Sequence, residues 1–101
     1  MGKSQKRKGY LGEAEIVKKL QDRGVNCIRI PMSGSIWSWK GDIDFFNGIK
    51  GEVKRRKRIN KLFYEMLEEA NYGFIRGDNK PWLVVMGLEE FTEMYKAWRK
   101  K

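Results

Sequence analysis

Four side chains on three segments of the chain have the chemistry of a metal-dependent phosphodiesterase: Glu13, Asp42, Glu52 and Lys54. Carboxylate oxygens suit Mg²⁺, which usually keeps several waters and also binds the phosphate oxygens of a substrate. When bound, this ion stabilises the charge that develops on the phosphate and lowers the pKa of a bound water. A neighbouring lysine could orient the attacking water. The sequence contains no histidine, which excludes Ser-His-Asp and Cys-His catalysis and nearly every zinc site.

Spacing along two predicted strands decides which of these side chains share a face. Residues two apart in a strand point the same way, so Glu52 and Lys54 share one face, and Asp42 and Asp44 share a face of the preceding strand. Asp44 is therefore a rival of Asp42 for the metal. A two-residue turn at Asn47-Gly48 would direct both aspartates away from Glu52, so we expect a three-residue or bulged connection. The alternative is that Glu52 and Lys54 form an ordinary same-strand pair.

Glu13 lies on the apolar stripe of the first predicted helix. Ile16, Val17 and Leu20 follow it at i+3, i+4 and i+7, which places its carboxylate on the inward side of that helix. An inward carboxylate needs a partner, because burying an unpaired charge is costly. We therefore expect Glu13 either to converge with the other acids and Lys54 at one end of the sheet, or to be a capped or partly hydrated acid.

The elements that must position these residues alternate between helix and strand. Sequence patterns predict a helix over residues 9–23 closed by Gly24, a second helix after an N-cap at Asn60, and a third that begins near Leu88. Strands are predicted over residues 25–30, 42–46, 49–54 and 82–86, the last of them buried, with a loop over 31–40. The order α-β-β-β-α-β-α indicates one α/β domain over residues 1–101, with a mixed β-sheet flanked by helices.

The chain is strongly basic, and its charge is clustered. Twenty-two Lys and Arg against thirteen Asp and Glu give a net charge of +9. Basic stretches at residues 1–8, 50–61 and 96–101 predict a surface that contacts the phosphates of nucleic acid. The single cysteine, Cys27, indicates a reducing compartment and is expected to be a small core residue. No apolar run approaches the roughly 20 residues of a membrane span, so we expect no membrane partner.

Several of these segments together resemble a known family. Three of them resemble the PD-(D/E)xK nuclease superfamily: Glu13, Lys40-Gly41-Asp42-Ile43 and Glu52-Val53-Lys54. Two further segments are similar to the archaeal-type Holliday junction resolvases and their small phage relatives: Arg7-Lys8-Gly9, and Arg29 followed by Ser33-Gly34-Ser35. The chain departs from the superfamily pattern in two ways. Lys40-Gly41 stands at the proline position, and the gap between Asp42 and Glu52 is short.

The resemblance implies a restriction-endonuclease-like fold and a homodimer that cuts opposed strands of four-way DNA junctions in the cytoplasm, or in the host cytoplasm if a phage encodes it. The cofactor would be Mg²⁺, for which Mn²⁺ substitutes. Its ligands would be Glu13, Asp42, Glu52 and the main-chain carbonyl of Val53, and Lys54 would be catalytic. The residues expected to bind DNA, from the resemblance and from the basic clusters, are Arg7, Lys8, Arg29, Ser33, Ser35, Lys40, Arg55, Arg56, Lys57 and Arg58.

Two other functions stay open from the sequence: a nicking or restriction-type nuclease of the same superfamily, and a non-catalytic nucleic-acid-binding module in which the acids are structural. Aromatic residues make up 13% of the chain, more than one small core is expected to hide. Trp37 and Trp39 could stack on bases, line a dimer interface or anchor their loop. Phe91, Tyr95 and Trp98 are the other candidates for a dimer interface.

Overall fold

The computed structural model describes the backbone of residues 2–30 and 41–100, and the side chains of residues 11–30 and 41–100. It contains helices α1 (Gly2–Asp22), α2 (Lys61–Met66) and α3 (Leu88–Arg99), and strands β1 (Ile28–Arg29), β2 (Ile43–Asp44), β3 (Lys50–Gly51), β4 (Tyr72–Ile75) and β5 (Leu83–Met86). The chain divides into two compact units, residues 1–55 and 56–101. The single domain expected over residues 1–101 stays a prediction. Among the described residues, no helix is both long enough and apolar enough to cross a membrane.

The first helix ends as its sequence predicts. The N–H of Val25 donates to the carbonyl of Leu20 at 2.9 Å, and the N–H of Gly24 donates to the carbonyl of Gln21 at 3.0 Å. This pair of bonds is the Schellman motif, which requires the left-handed backbone that Gly24 adopts at φ 87°. Helix α1 begins at Gly2, earlier than the predicted residue 9, because the intervening polar residues contain no proline and favour a helix.

The core of the first unit lies between α1 and a three-stranded antiparallel sheet of order β1-β2-β3. Arg29 is paired with Ile43, and Ile43 with Gly51. The buried hydrophobic residues are Val17, Leu20, Val25, Cys27, Ile30, Ile43 and Phe45. Cys27 is therefore the core residue that the sequence predicts, and its burial raises the pKa of the thiol.

The connection between β2 and β3 has the odd length that the parity argument requires. Asp44 is paired with Lys50, and the N–H of Phe45 donates to the carbonyl of Ile49 at 2.9 Å, which leaves residues 46–48 as the loop. Within it, the N–H of Ile49 donates to the carbonyl of Phe46 at 3.2 Å. Asn47-Gly48 therefore keeps its tight turn, with positive φ at both residues, and Phe46 is the extra residue at φ 72°. The expected three-residue or bulged connection is confirmed.

The second unit contains α2, α3 and a two-stranded antiparallel sheet of β4 and β5. The side chain of Asn60 accepts the N–H of Leu62 at 2.9 Å, which confirms the predicted N-cap. Met66 of α2 packs directly on Gly73 of β4, where an added Cβ would lie 3.0 Å from the Met66 side chain. Helix α3 confirms the C-terminal helix predicted from Leu88 onward.

Three features of the strands differ from the prediction. Strand β4 was missed, because it is short and has Gly73 in its interior, which weakens a strand pattern. Strand β5 is present, but it is not buried, since Leu83 and Val84 are 60% and 53% exposed. All strand pairs in the described residues are antiparallel, so the mixed sheet is not observed in this part of the chain. The α/β class itself is confirmed by the alternating helices and strands.

Candidate active site

Asp42 is hydrogen-bonded to the residues on both sides of Glu52. Its backbone N–H donates to the carbonyl of Gly51 at 2.8 Å, and its carboxylate Oδ2 accepts the N–H of Val53 at 2.7 Å. On its other side, the N–H of Ile30 donates to the Asp42 carbonyl at 2.9 Å. The Asp42 carboxylate is therefore fixed beside the segment from which Glu52 projects, and the two acids of the predicted site come from neighbouring extended segments.

Gly41 allows this close approach of the two segments. It has a φ of +88°, which side-chain-bearing residues rarely adopt. A Cβ at this position would lie 3.2 Å from the Gly51 carbonyl oxygen and 3.1 Å from the Lys50 Cβ. A larger residue would therefore strain the backbone immediately before Asp42 and push the segments apart.

Glu52 and Lys54 form an ion pair at the solvent-exposed surface. The Lys54 Nζ lies 3.5 Å from the Glu52 Oε1, and the two side chains are 66% and 59% exposed. An ion pair this exposed contributes little to stability, because both charges remain hydrated. The same exposure leaves the Glu52 carboxylate and the Lys54 ammonium accessible to a large substrate from solution.

Glu13 lies on the inward side of α1, as its spacing predicts, and its partner is Arg29. The Arg29 Nε donates to the Glu13 Oε1 at 2.9 Å, and the Glu13 side chain is only 13% exposed. Arg29 reaches this position from β1, where its side chain is 31% exposed. The largely buried carboxylate therefore has a guanidinium as its counter-charge and is not observed in a cluster of acids.

Asp44, the rival of Asp42, has a different set of partners. Its Oδ1 accepts the N–H of Phe46 at 2.8 Å and lies 3.2 Å from the Lys50 Nζ. The hydrogen bond from Phe46, and then the one from Lys50, lower the pKa of Asp44. These contacts close the turn between β2 and β3, which is a structural role. Asp42 instead has its carboxylate beside Val53, within the ExK segment.

The site offers two carboxylates as ligands for a hard divalent cation such as Mg²⁺. Among the described residues, no group of three or more His, Cys, Asp or Glu side chains is close enough to hold a metal ion. Mg²⁺, however, is often bound by one or two carboxylates together with waters and substrate phosphates. Asp42 and Glu52 supply two such carboxylates, with the Val53 backbone adjacent to both. These two acids are of a type compatible with Mg²⁺, and the described residues bring no third carboxylate to them.

The residues expected to bind DNA are distributed over both units. Arg29 is engaged by Glu13, and Arg55 lies against α1, where an added Cβ on Gly12 would be 3.1 Å from the Arg55 Cβ. Arg55, Arg56, Lys57 and Arg58 are all exposed, in a segment without regular secondary structure. Arg7 and Lys8 lie in α1, and their side chains are outside the described part. Ser33, Ser35 and Lys40 lie outside the described residues, as do Trp37 and Trp39.

Comparison with known families shows the family of the chain. The sequence model of the archaeal Holliday junction resolvase family matches residues 4–86 of the chain. The chain belongs to this resolvase family. The match covers α1 from residue 4 onward, the segments that carry Asp42 and Glu52, and strands β4 and β5. No curated protein and no solved structure matches the chain significantly. Membership confirms the resemblance drawn from the motifs, and it identifies the chain at family level as a nuclease for branched DNA.

The ion pair between Arg29 and Glu13 is the feature of the resolvase site that the sequence did not predict. Arg29 was expected to contact phosphate, and Glu13 was expected to join other acids or to be partly hydrated. A signal for the pair was present, because Arg29 follows the core residue Cys27 by two positions in an extended segment and so shares its inward side. An inward arginine and an inward glutamate on packed elements are natural partners.

Proposed function

We propose that this protein is a Mg²⁺-dependent endonuclease that resolves four-way DNA junctions by hydrolysing phosphodiester bonds in opposed strands. The observation that carries the proposal is the position of Asp42, bonded to Gly51 and Val53 on either side of Glu52. Membership of the resolvase family supplies the substrate class. The proposal extends that membership to a metal-dependent mechanism and to named residues of this chain.

In the proposed site, Asp42 and Glu52 hold the cation, with the Val53 carbonyl as a further oxygen donor. The ion, Mg²⁺ or Mn²⁺, stabilises negative charge on the phosphate and lowers the pKa of a bound water. The hydrogen bond from Val53 to Asp42 fixes the direction of the Asp42 carboxylate before substrate arrives. Lys54, paired with Glu52 and exposed, orients the attacking water and offsets charge near the scissile phosphate.

Glu13 and Arg29 have a supporting role in this proposal. The guanidinium of Arg29 is positioned by its 2.9 Å bond to Glu13, which fixes a positive charge on β1. Approach of a cation and a DNA phosphate would offer each member of the pair a second partner of opposite charge. Glu13 therefore acts first as the anchor of Arg29, and its use as a third metal ligand requires that this bond be exchanged.

The basic side chains complete the proposed DNA-binding surface. Residues 50–61 include seven Lys or Arg and one acid, and Arg55 to Arg58 are exposed along this segment. Phosphate contacts from such a segment position DNA without reading its sequence. We expect the same of the basic residues of α1 and of Ser33, Ser35 and Lys40.

Paired cleavage requires two catalytic sites, because each chain carries one set of Asp42, Glu52 and Lys54. A two-fold homodimer would supply both sites at a fixed separation and match the pseudo-symmetry of a four-way junction. The restriction-endonuclease-like arrangement of sheet and helices belongs to the same proposal. The enzyme would act in the cytoplasm, where cellular or phage DNA is processed.

Cleavage of a synthetic four-way junction beside a linear duplex of matched sequence tests the proposed function. With Mg²⁺ the protein should cut the junction in paired strands and leave the duplex intact, and with EDTA it should bind the junction without cutting. Glu52→Gln should abolish cleavage, and Lys54→Ala should lower the rate by about 10²–10⁴-fold, each with junction affinity retained. Glu15→Gln, the same change at an exposed position of α1, is the matched control and should cleave normally.

The alternative functions give different results in this assay. Single, unpaired incisions or cutting of the linear duplex would indicate a nicking or restriction-type nuclease. Junction binding without cleavage at any Mg²⁺ or Mn²⁺ concentration would indicate a binding module in which the exposed pair of Glu52 and Lys54 is structural.

A further inference from the structure

The connection between β2 and β3 contains three consecutive residues with a left-handed backbone. Phe46, Asn47 and Gly48 have φ of 72°, 56° and 81°. Glycine enters this region readily and asparagine often, whereas a residue as bulky as phenylalanine does so rarely. The backbone at Phe46 is therefore strained, and such a conformation persists only where other contacts hold it.

Asp44 makes the contact that holds Phe46. The Phe46 N–H donates to the Asp44 Oδ1 at 2.8 Å, in the pattern of a side chain that accepts from the backbone two residues later. The same oxygen lies 3.2 Å from the Nζ of Lys50, the residue with which Asp44 is paired on β3. Asp44 therefore connects its own strand to the extra residue of the turn and to the facing strand.

Phe46 decides which side chain of the β3 segment lies opposite Asp42. Ile43 is paired with Gly51. The next position of the same register places Asp42 opposite Glu52, and residues directly opposite each other in an antiparallel pair share a face. Without Phe46, a two-residue turn would shift the register by one position. Glu52 would then lie opposite Ile43, on the other face from Asp42.

Packing at Gly51 favours the observed register. An added Cβ at Gly51 would lie 2.9 Å from the Phe45 Cε2, so the buried Phe45 ring lies directly against this residue. In the shifted register, the Glu52 side chain would take the position of Gly51 and meet the same ring. The packing thus requires a three-residue connection, and that connection depends on the conformation of Phe46.

We propose that Asp44 is a positioning residue of the active site. By accepting the Phe46 N–H, it stabilises the extra residue of the connection and, through it, the register that places Asp42 opposite Glu52. This role rests on the proposed function, because Asp42 and Glu52 are the two acids assigned there to the metal. Asp44 acts through an oxygen that accepts a backbone hydrogen bond, and not as a ligand of the metal.

Substitution separates the acceptor of Asp44 from its charge. Asp44→Asn keeps a side-chain oxygen that can accept the Phe46 N–H and removes the charge, whereas Asp44→Ala removes both. Phe46→Gly acts on the other partner of the bond. Glycine adopts a positive φ without steric cost, so the connection no longer needs the hydrogen bond to hold it. The double variant Asp44→Ala/Phe46→Gly should therefore recover what Asp44→Ala loses.

Amide hydrogen exchange, measured by NMR on the full chain without DNA or metal, tests this role. The reporters are the N–H of Asp42, which is bonded to the Gly51 carbonyl, and the N–H of Val53, which is bonded to the Asp42 carboxylate. Both should exchange at least about 10-fold faster in Asp44→Ala, the effect of one lost hydrogen bond to a charged group. In Asp44→Asn and in the double variant they should stay within about 3-fold of the wild-type rate. The buried Val25 N–H, at the end of α1 in the same unit, is the internal reference and should change by less than about 2-fold.

Junction cleavage in Mg²⁺ is the second measurement. Asp44→Ala should cleave about 10-fold more slowly than the wild type, because a smaller fraction of the molecules has Asp42 and Glu52 side by side. Asp44→Asn and the double variant should cleave at close to the wild-type rate.

Four results would overturn the assignment. Wild-type exchange at Asp42 and Val53 in Asp44→Ala would show that the register does not depend on the hydrogen bond. Exchange as fast in Asp44→Asn as in Asp44→Ala would show that the charge matters, and a double variant that does not recover would show that Phe46 is not the point of action. Equal acceleration at Val25 would show a general loss of stability. Exchange requires no catalysis, so a wild-type chain that binds junctions without cutting them would refute the proposed function and not this assignment.

Discussion

Two accounts of the site predict opposite effects of Glu13→Gln on the free energy of unfolding. In a cluster of acids, Glu13→Gln would remove like-charge repulsion and leave stability unchanged or slightly raised, as the sequence led us to expect. The structure instead pairs the Glu13 carboxylate with Arg29 at 2.9 Å. Glu13→Gln would then remove a negative charge that lies 2.9 Å from a partly buried guanidinium. We therefore expect the variant to be destabilised.

The burial of the two partners sets the magnitude. Breaking a fully buried ion pair costs about 3–5 kcal/mol, whereas an exposed pair contributes about 0.2–1 kcal/mol. The Glu13 side chain is 13% exposed and the Arg29 side chain 31% exposed, so the pair lies between these limits. An intermediate loss of about 2 kcal/mol follows, and it corresponds to a fall of roughly 8–16 °C in the melting temperature of a small domain.

A double-mutant cycle in urea measures this loss. Glu13→Gln and Arg29→Gln should each lower the free energy of unfolding, and the double variant should lose less than the sum of the two. Glu15→Gln, at an exposed position of the same helix, is the control and should change stability by less than about 0.5 kcal/mol. A Glu13→Gln variant as stable as the wild type, or more stable, would refute the ion-pair account.

Three further changes test the scaffold around the site. The pKa of Asp44 is lowered, so its contribution to stability is present above the usual value of 3.8 and is lost as the pH falls through the lower folded value. Asp44→Asn should therefore flatten the pH dependence of the urea midpoint below about pH 4. Gly41→Ala should lower the free energy of unfolding by about 2–3 kcal/mol, because Gly41 has a φ of +88° and an added Cβ would lie 3.2 Å from the Gly51 carbonyl oxygen. Gly77→Ala is the control and should be nearly neutral in the same urea titration, because its Cβ would meet only the Lys80 Cγ at 3.8 Å. Asn60→Ala should cost about 1 kcal/mol by urea denaturation, and Asn60→Ser, which restores an N-cap acceptor, should recover most of it.

Local signals in the sequence predicted much of the first unit. The helix end at Gly24 and the inward position of Glu13 follow from short-range rules on capping and helical spacing. The three-residue or bulged connection was predicted from a functional requirement, namely that Glu52 lie opposite Asp42 or Asp44. It overrode the Asn47-Gly48 signal for a two-residue hairpin, and the structure accommodates both by inserting Phe46.

Pairings between distant segments were harder to predict. The partner of Glu13 depends on how β1 packs against α1, which the spacing within either element does not determine. Strand β4 was missed because Gly73 interrupts its pattern, and a Cβ at this position would lie 3.0 Å from the Met66 side chain. The apolar run of β5 correctly predicted a strand and wrongly predicted burial, since Leu83 and Val84 are exposed in the single chain.

The most direct test of the central claim is junction cleavage by Asp42→Asn and Asp44→Asn side by side in Mg²⁺. Both changes remove one negative charge, at positions two residues apart, but only Asp42 is bonded to Val53 beside Glu52, whereas Asp44 closes the turn with Lys50. We predict that Asp42→Asn binds the junction and does not cut it, and that Asp44→Asn still cuts it in paired strands. Cleavage retained by Asp42→Asn and lost by Asp44→Asn would contradict the assignment of the metal site.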